Sequence, residues 1–257
     1  MKDGHDDRVR AQFDPRANAY LASAVHAAGA DLDAMAAALS RRKVGSVLDA
    51  GCGGGHVTFR LAPLAERVVA CDLSSSMLET VAGEAARRGL SHVETRQASV
   101  EALPFAEGSF DVVATRFSAH HWRDLGAGLA EMRRVLKPGG IALFADVVAP
   151  DEPLFDTWLQ SLELLRDPSH VRNRSVAEWN ALLDKAGFGP GEVTSYRLPL
   201  AFGPWIERMR TVEDHVRAIR SLQDQATAEV KDYFALEADG SFTLDTALIV
   251  REGHVNR

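Results

Sequence analysis

The sequence of 257 residues predicts an α/β fold, in which a doubly wound and mostly parallel sheet is covered by helices on both faces. From about residue 44 onwards, short apolar runs alternate with helical stretches of roughly ten residues or more, the pattern of βαβ units. A glycine-rich segment at 51–55 follows the first apolar run, and Asp72 ends the second run, about 20 residues after the glycines. These observations predict a nucleoside site at the carboxyl edge of the sheet.

The composition indicates which binding partners and which cellular compartment to expect. The net charge is −7, from 29 Lys and Arg against 36 Asp and Glu, so the basic surface that binds nucleic acid is not expected. Two cysteines do not make a disulfide framework, and the first ten residues contain no apolar signal region. No apolar run approaches the roughly 20 residues that span a bilayer. We therefore expect a cytoplasmic protein without membrane insertion, in an oligomeric state that the sequence leaves open.

The predicted elements follow one another without a linker rich in Pro, Gly and Ser. Residues 8–39 read as helices broken near Gly29, and the turn at Asp239 and Gly240 resembles that of a hairpin. Ser175 and Glu178 form a capping box at a helix start. The predicted strands are 47–48, 68–71, 92–96, 110–115, 141–148, 192–200 and 242–250. The predicted helices after residue 43 are 58–65, 75–88, 122–136, 151–165, 175–187 and 212–234.

The glycine loop has the form D-x-G-x-G-x-G and begins with Asp49 at the end of a strand. Glycines permit positive φ angles and let a ligand contact bare backbone, and the helix that follows offers unpaired N–H groups. A dinucleotide site requires G-x-G-x-x-G, but His56 stands where the third glycine belongs. The loop therefore favours a nucleoside without a pyrophosphate; a tight strand-to-helix turn is the alternative.

Further segments carry a resemblance to a known family. In chain order these are Asp72-Leu73-Ser74 with Met77-Leu78, Glu101-Ala102-Leu103-Pro104-Phe105, Ser109-Phe110-Asp111-Val112-Val113 and Arg134-Val135-Leu136-Lys137-Pro138-Gly139-Gly140. Together with the glycine loop, this ordered set resembles the class I S-adenosylmethionine-dependent methyltransferases, in particular the small-molecule type of ubiquinone and menaquinone biosynthesis. Residues 115–122 and 166–173 are similar to YafE-type bacterial proteins.

The resemblance implies a Rossmann-like, seven-stranded sheet with an antiparallel last strand and a helical cap. One domain would span residues 1–257, with a cofactor-binding core at about 44–148 and a cap from about 1–43 and 151–235. It also implies transfer of a methyl group from S-adenosylmethionine to a small molecule by in-line displacement, with S-adenosylhomocysteine as the product. The implied cofactor-binding residues are Tyr20, Asp49, Gly51, Cys52, Gly53, Asp72, Leu73, Met77, Ser99, Val100, Arg116 and Phe117.

One position departs from the family. An acid shortly before E-x-L-P-F usually meets the adenine amino group, and Ser99 occupies that place here. A hydroxyl can accept the same hydrogen bond, but without the strength that a charge adds. We therefore expect only modest cofactor affinity.

His120 and His121 are the candidate catalytic residues, because they follow the fourth strand and imidazole transfers protons near neutral pH. The alternative is that one histidine caps the next helix and that the pair has a structural role. A metal site built from His120, His121 and Asp146 is not expected, since adjacent histidines rarely converge on one ion.

The cap is expected to determine the acceptor. Phe13 and Tyr20 are candidate lid contacts, and the segment from Arg172 through Asn173 to Arg174 is either an anion site or a solvated loop. The aromatic and soft apolar candidates, of which about two are expected to face a substrate, are Trp158, Trp179, Phe202, Trp205 and Met209.

Other functions remain open from the sequence alone. Carboxyl methylation of a substrate linked to an acyl carrier predicts a basic patch at the pocket mouth, and a protein could also bind the cofactor without methyl transfer. Methylation of nucleic-acid amino groups requires N/D-P-P-Y/F after the fourth strand, where this chain has Arg116-Phe117-Ser118-Ala119. His56 disfavours a nicotinamide oxidoreductase.

Overall fold

The computed structural model describes residues 4–17, 21 and 28–253. Within them, one seven-stranded sheet has the order β3-β2-β1-β4-β5-β7-β6. The pairs among β1 to β5 are parallel, and β7 lies antiparallel between β5 and β6, which confirms the predicted sheet with its antiparallel last strand. The strands are β1 (Val44–Ala50), β2 (Ala65–Asp72), β3 (Val93–Gln97), β4 (Phe110–Arg116), β5 (Leu136–Val147), β6 (Phe188–Leu200) and β7 (Phe242–Gly253).

Helices cover both faces of the sheet and one of its edges. None of those in the described residues is long and apolar enough to cross a membrane. The α-helices are α1 (His5–Phe13), α2 (Ala30–Leu39), α3 (His56–Leu61), α4 (Ser75–Arg87), α5 (Leu125–Val135), α6 (Pro153–Arg166), α7 (Val176–Lys185), α8 (Phe202–Met209), α9 (Glu213–Asp224) and α10 (Ala228–Tyr233).

The central strands are apolar on both faces because each face is covered. In β1, Leu48 belongs to the cluster that α5 and α7 cover, whereas its neighbour Val47 belongs to the cluster that α2 and α3 cover. In β5, Phe144 belongs to the cluster under α5 and α7, and Leu143 belongs to the cluster under α2 and α3. Such double burial explains why these strands appear in the sequence as continuous apolar runs rather than as an alternating pattern.

A third apolar cluster lies beyond the carboxyl ends of β5 and β6. It joins α6, α8, α9 and α10, and its centre is the contact between Trp158 and Phe234, whose ring centroids are 4.4 Å apart. The range 151–235 that we expected to form a cap therefore supplies these helices, and it also supplies α7 and β6 to the sheet layers.

The structure differs from the sequence prediction in three places. The expected helix 212–234 is two helices, because the Thr227 side chain accepts a hydrogen bond from Val230 N and starts α10. The sequence analysis missed α8, whose short F-G-P start is typical of a loop, although a proline is tolerated in a first helical turn. The turn at Gly240 does not form a hairpin, since β7 pairs with β5 and β6 and α10 precedes the turn.

Candidate functional site

A first cavity lies at the carboxyl edge of the sheet, where the strand order reverses between β1 and β4. Open α/β sheets place their ligands at this point. The cavity holds about 960 Å³ of space free of protein atoms, part of which is open to solvent. Tyr20 lies outside the described residues. All the other candidate cofactor residues line the cavity: Asp49, Gly51, Cys52, Gly53, Asp72, Leu73, Met77, Ser99, Val100, Arg116 and Phe117.

The loop between β1 and α3 requires glycine at two positions for different reasons. Gly51 has φ 70°, and a Cβ atom there would collide with the side chain of Ser118. Gly53 has φ 48°, and a Cβ atom there would meet no protein atom within 4 Å. Gly51 therefore lets the loop approach the end of β4, whereas Gly53 keeps bare backbone at the cavity wall.

Asp72 connects the end of β2 to the glycine loop. Its Oδ2 accepts a hydrogen bond from Gly53 N at 2.8 Å, and its Oδ1 accepts one from Ser74 N at 2.9 Å. Burial raises the pKa of Asp72. Because a carboxylate has about four lone-pair positions, these two bonds leave Asp72 able to accept from a pair of ligand hydroxyls.

Asp49 presents an unsatisfied oxygen. Its Oδ2 accepts from Thr58 N at 2.9 Å and from Thr58 Oγ1 at 2.6 Å, whereas its buried Oδ1 has no hydrogen-bond partner in the described chain. Burial raises the pKa of Asp49 to about 7. A ligand with a cationic or hydrogen-bond-donating group would satisfy this carboxylate.

Arg116 is buried in an ion pair. Its Nε lies 2.5 Å from Oδ2 of Asp31 in α2, and the two side chains are 4% and 8% exposed. The family resemblance includes Arg116 among the cofactor-binding residues. The structure places it in the cavity wall, and Asp31 already neutralises its charge.

Phe117 follows β4 in a left-handed conformation with φ 51°, which is unusual for a bulky residue. Its N–H donates to Ala145 O at 2.9 Å. Residues in such conformations are often found at functional sites. Phe117 lines both the first cavity and a second one.

The second cavity lies beside the first and holds about 590 Å³ of free space. It is formed at the ends of β5 and β6 and the start of β7, below helices of the third apolar cluster. His121 and Phe117 are common to both cavities. The lining residues are Phe117, His120, His121, Val147, Glu163, Arg166, Asp167, Asn173, Leu198, Leu200, Trp205, Arg208 and Leu244.

The two adjacent histidines have different surroundings. His120 lines the second cavity, and its Nδ1 lies 2.5 Å from Oδ1 of Asp146 at the end of β5. Burial opposes its protonation, but the carboxylates of Asp146, Glu163 and Asp167 together raise the pKa of His120.

His121 is held in the neutral form. Burial and the neighbouring His120 lower the pKa of His121 to about 4. Its Nδ1 lies 3.2 Å from Ser169 O, and its ring contacts Phe13 edge-on, with the centroids 5.0 Å apart. Phe13, a candidate lid residue, also lines the first cavity.

The loop after α6 is attached to the histidine pair. Val171 N donates to His120 O at 2.9 Å, and the loop carries Asn173 into the wall of the second cavity. Arg172 and Arg174 pair with Asp156 and with Glu178 respectively, so these two arginines give no support to the expected anion site.

Sequence reasoning did not identify Asp31 as the partner of Arg116, and it considered Asp146 only as a metal ligand. The sequence signals at Asn173 were the resemblance of 166–173 to YafE-type proteins and the polar segment 172–174, whose alternatives were an anion site and a solvated loop. No cluster of three or more His, Cys, Asp or Glu residues in the described ranges is arranged to hold a metal ion. Of the aromatic candidates in the cap, Trp205 lines the second cavity, whereas Trp158 and Trp179 are buried in apolar clusters.

The chain is similar to known proteins in sequence and in fold. A family model described as a methyltransferase domain matches residues 48–144. The protein YafE of Escherichia coli is 47% identical over 199 residues, which cover 77% of this chain and 96% of YafE. The methyltransferase YcgJ of Bacillus subtilis is 33% identical over 224 residues, covering 87% of this chain and 88% of YcgJ.

The crystal structure of YcgJ matches 88% of this chain and 99% of its own chain with a TM-score of 0.83 and 32% identity. A malonyl-[acyl-carrier protein] O-methyltransferase of Pseudescherichia vulneris is 30% identical over 182 residues, covering 70% of this chain and 68% of that enzyme.

Proposed function

The chain belongs to the class I S-adenosylmethionine-dependent methyltransferases of the YafE type, and on that premise we propose that it methylates a small molecule by in-line displacement. The observation that carries the proposal is that a cofactor-sized cavity and a second, smaller cavity share Phe117 and His121. An acceptor in the second cavity would approach the cofactor at these two side chains. In this proposal the core at about 44–148 holds the cofactor, and helices from both ends of the chain cover it.

The residues of the first cavity fit S-adenosylmethionine. In the proposed arrangement Asp72 receives the ribose hydroxyls, and Met77, Ser99 and Val100 surround the adenine. The unpartnered Oδ1 of Asp49 and the bare backbone at Gly53 fit the amino-acid end. When bound, the cofactor supplies a methyl group activated by a sulfonium.

The side chains around the second cavity align the acceptor and exclude water. Orientation of this kind can supply roughly 7–11 kcal/mol of a barrier. Apolar contacts come from the end of β6, from the start of β7 and from Trp205 in α8. A recess lined in this way suits a small molecule rather than a macromolecule.

His120 is the proposed general base. Asp146 binds its Nδ1, which fixes the ring and leaves Nε2 as the nitrogen for proton transfer. The pKa of His121, lowered to about 4, makes His121 a weak base, so we assign it to the wall between the cavities. Removal of the acceptor's proton by His120 would contribute about 10²–10⁴-fold to the rate.

Carboxyl methylation of a substrate linked to an acyl carrier is the runner-up. It requires a basic patch, but the second cavity is lined by two acids, Glu163 and Asp167, against two bases, Arg166 and Arg208. This balance of charges favours an acceptor without net negative charge.

The test is methyl transfer into a size-fractionated cell extract with cofactor that carries a tritiated methyl group. We expect label in the fraction of small molecules and formation of S-adenosylhomocysteine. Asp72→Ala, which removes the ribose contact, is the matched control and is expected to lose the label. Label in protein or nucleic acid instead, or cofactor binding without transfer, would contradict the proposal.

A further inference from the structure

Asn173 lines the second cavity and has a buried side-chain amide without a hydrogen-bond partner in the described chain. The residue lines the cavity, and only 2% of it is exposed. Neither Oδ1 nor Nδ2 has a hydrogen-bond partner in the described chain. The backbone of Asn173, by contrast, is held on both sides by Gln160, which accepts from Asn173 N at 3.1 Å and donates to Asn173 O at 2.9 Å.

An unsatisfied buried amide is costly, because the group gives up its bonds to water without replacement. Both Oδ1 and Nδ2 of Asn173 are buried without a partner in the described chain. The free protein is therefore destabilised by one unsatisfied acceptor and by one unsatisfied donor group. Unpartnered buried groups in a native protein call for an explanation, and a ligand site is one. A bound ligand that supplied the missing partners would remove both costs.

The charged residues around Asn173 have partners of their own. Arg166 pairs with Glu163 at 3.2 Å and donates from Nε to Trp205 O at 3.1 Å. Asp167 accepts from Ser169 N at 2.8 Å and from Ser169 Oγ at 2.6 Å. These charges are therefore partly satisfied inside the protein, whereas the neutral amide of Asn173 is not.

Part of the wall is apolar. Leu198, Leu200, Leu244 and Val147 line the cavity, and Trp205 adds an aromatic ring. These side chains can pack against an apolar part of a ligand, beside the histidines and charged residues of the same wall.

We infer that Asn173 recognises the methyl acceptor, and that the acceptor carries an uncharged donor and an uncharged acceptor of hydrogen bonds on neighbouring atoms of an apolar body. A primary amide, a lactam or an enol beside a carbonyl has this arrangement. Each can accept from Nδ2 and donate to Oδ1 of Asn173 at once. The inference rests on the proposed function, since it identifies the chemistry of the acceptor in the same site.

The first test compares 2-quinolone with coumarin, two bicyclic molecules of the same shape. At the ring position beside the carbonyl, 2-quinolone has an N–H group and coumarin has an oxygen atom. Each is titrated calorimetrically into the protein saturated with S-adenosylhomocysteine. We expect 2-quinolone to bind about tenfold more tightly, because coumarin leaves Oδ1 of Asn173 unpaired. In Asn173→Leu this preference is expected to disappear. Equal binding, no binding of either molecule, or a preference that persists in Asn173→Leu overturns the inference.

The second test measures thermal stability without any ligand. If the amide of Asn173 is kept for a ligand, Asn173→Leu removes two unsatisfied groups and is expected to raise Tm by about 2–4 °C. Asn180→Leu is the matched control, because Oδ1 of Asn180 already accepts from Arg251 at 2.6 Å, and it is expected to lower Tm. A lower Tm for Asn173→Leu would show that Asn173 serves the fold.

The experiments distinguish a failure of the proposed function from a failure of the inference about Asn173. If the proposed function fails, S-adenosylhomocysteine does not bind or no label is transferred, whatever residue stands at position 173. If only the inference about Asn173 fails, Asn173→Leu retains both wild-type cofactor affinity and wild-type label transfer.

Discussion

Nδ1 of His120 lies 2.5 Å from Oδ1 of Asp146, at the carboxyl ends of the neighbouring strands β4 and β5. The same carboxylate receives the backbone N–H of His120 at 3.3 Å and that of Val147 at 2.8 Å. Asp146 therefore fixes both the position and the tautomer of the ring, and Nε2 is the nitrogen that remains for proton transfer.

His120→Ala is expected to lower kcat by about 10²–10⁴-fold, because the acceptor loses its base. His121→Ala, which removes a neutral wall residue, is expected to have a smaller effect on kcat. Steady-state kinetics of both variants check the assignment. If both keep near-normal kcat, neither histidine is the base.

Asp146→Asn is expected to shift the pH dependence of kcat/KM. The Asp146 carboxylate helps to raise the pKa of His120, and the base must be neutral to accept a proton, so activity rises with pH through that pKa. Without the carboxylate the pKa falls, and the rising limb moves to lower pH. A limb at unchanged pH with reduced kcat would indicate that Asp146 is only structural.

Cofactor affinity is expected to depend on pH through Asp49. Burial raises the pKa of Asp49 to about 7, and the ammonium of the cofactor favours the ionised carboxylate. Below that pKa, binding must expel a proton, so the affinity for S-adenosylhomocysteine is expected to fall by up to about tenfold per pH unit. Calorimetry between pH 5.5 and 8 measures the dependence. Asp49→Asn should bind more weakly and lose this dependence; a variant with the wild-type slope would refute the role of Asp49.

Ser99→Asp is expected to tighten binding of S-adenosylhomocysteine about fivefold, because a carboxylate accepts from the adenine amino group more strongly than a hydroxyl. Ser99 lines the first cavity, and its Oγ now accepts from Glu101 N at 3.2 Å. Ser99→Ala is the control for loss of the hydroxyl. Calorimetric titration that gives equal affinity for wild type and Ser99→Asp would remove the argument that Ser99 weakens cofactor binding.

Acid is expected to destabilise the protein through buried histidines. Burial, with the charges of His120 and His121, lowers the pKa of His170 to about 2, whereas the unfolded chain takes up this proton near pH 6.5. Stability is therefore lost as the pH falls below about 6.5, with a slope from His170 of up to about 1.4 kcal/mol per pH unit. Urea unfolding of wild type and His170→Phe at pH 4.5–7.5 should give a shallower slope for the variant. Equal slopes would mean that His170 takes up its proton without unfolding.

Local patterns were sufficient to predict the sheet and the first cavity. The alternation of apolar runs with helices fixed the class, and the glycine loop and Asp72 lie together because both follow neighbouring parallel strands. Each of these inferences depends on residues close in sequence, or on the rule that parallel strands end at one edge.

Neither the ion pair that buries Arg116 nor the second cavity could be predicted in this way. Asp31 and Arg116 are 85 residues apart in the chain, and the side chains around Asn173 come from α6, α8, β6 and β7 as well as from its own loop. Which of these residues meet depends on how the helices beyond β5 pack, and α8 was itself missed. A polar sequence such as 172–174 does not reveal that its central residue is buried while both neighbours form surface ion pairs.

The most direct measurement is a crystal structure of the protein with S-adenosylhomocysteine. The account predicts that the ribose hydroxyls bind Asp72 and that the sulfur lies beside Phe117 and His121, facing the cavity that contains His120 and Asn173. A sulfur directed away from that cavity, or a ribose that does not contact Asp72, would contradict the account.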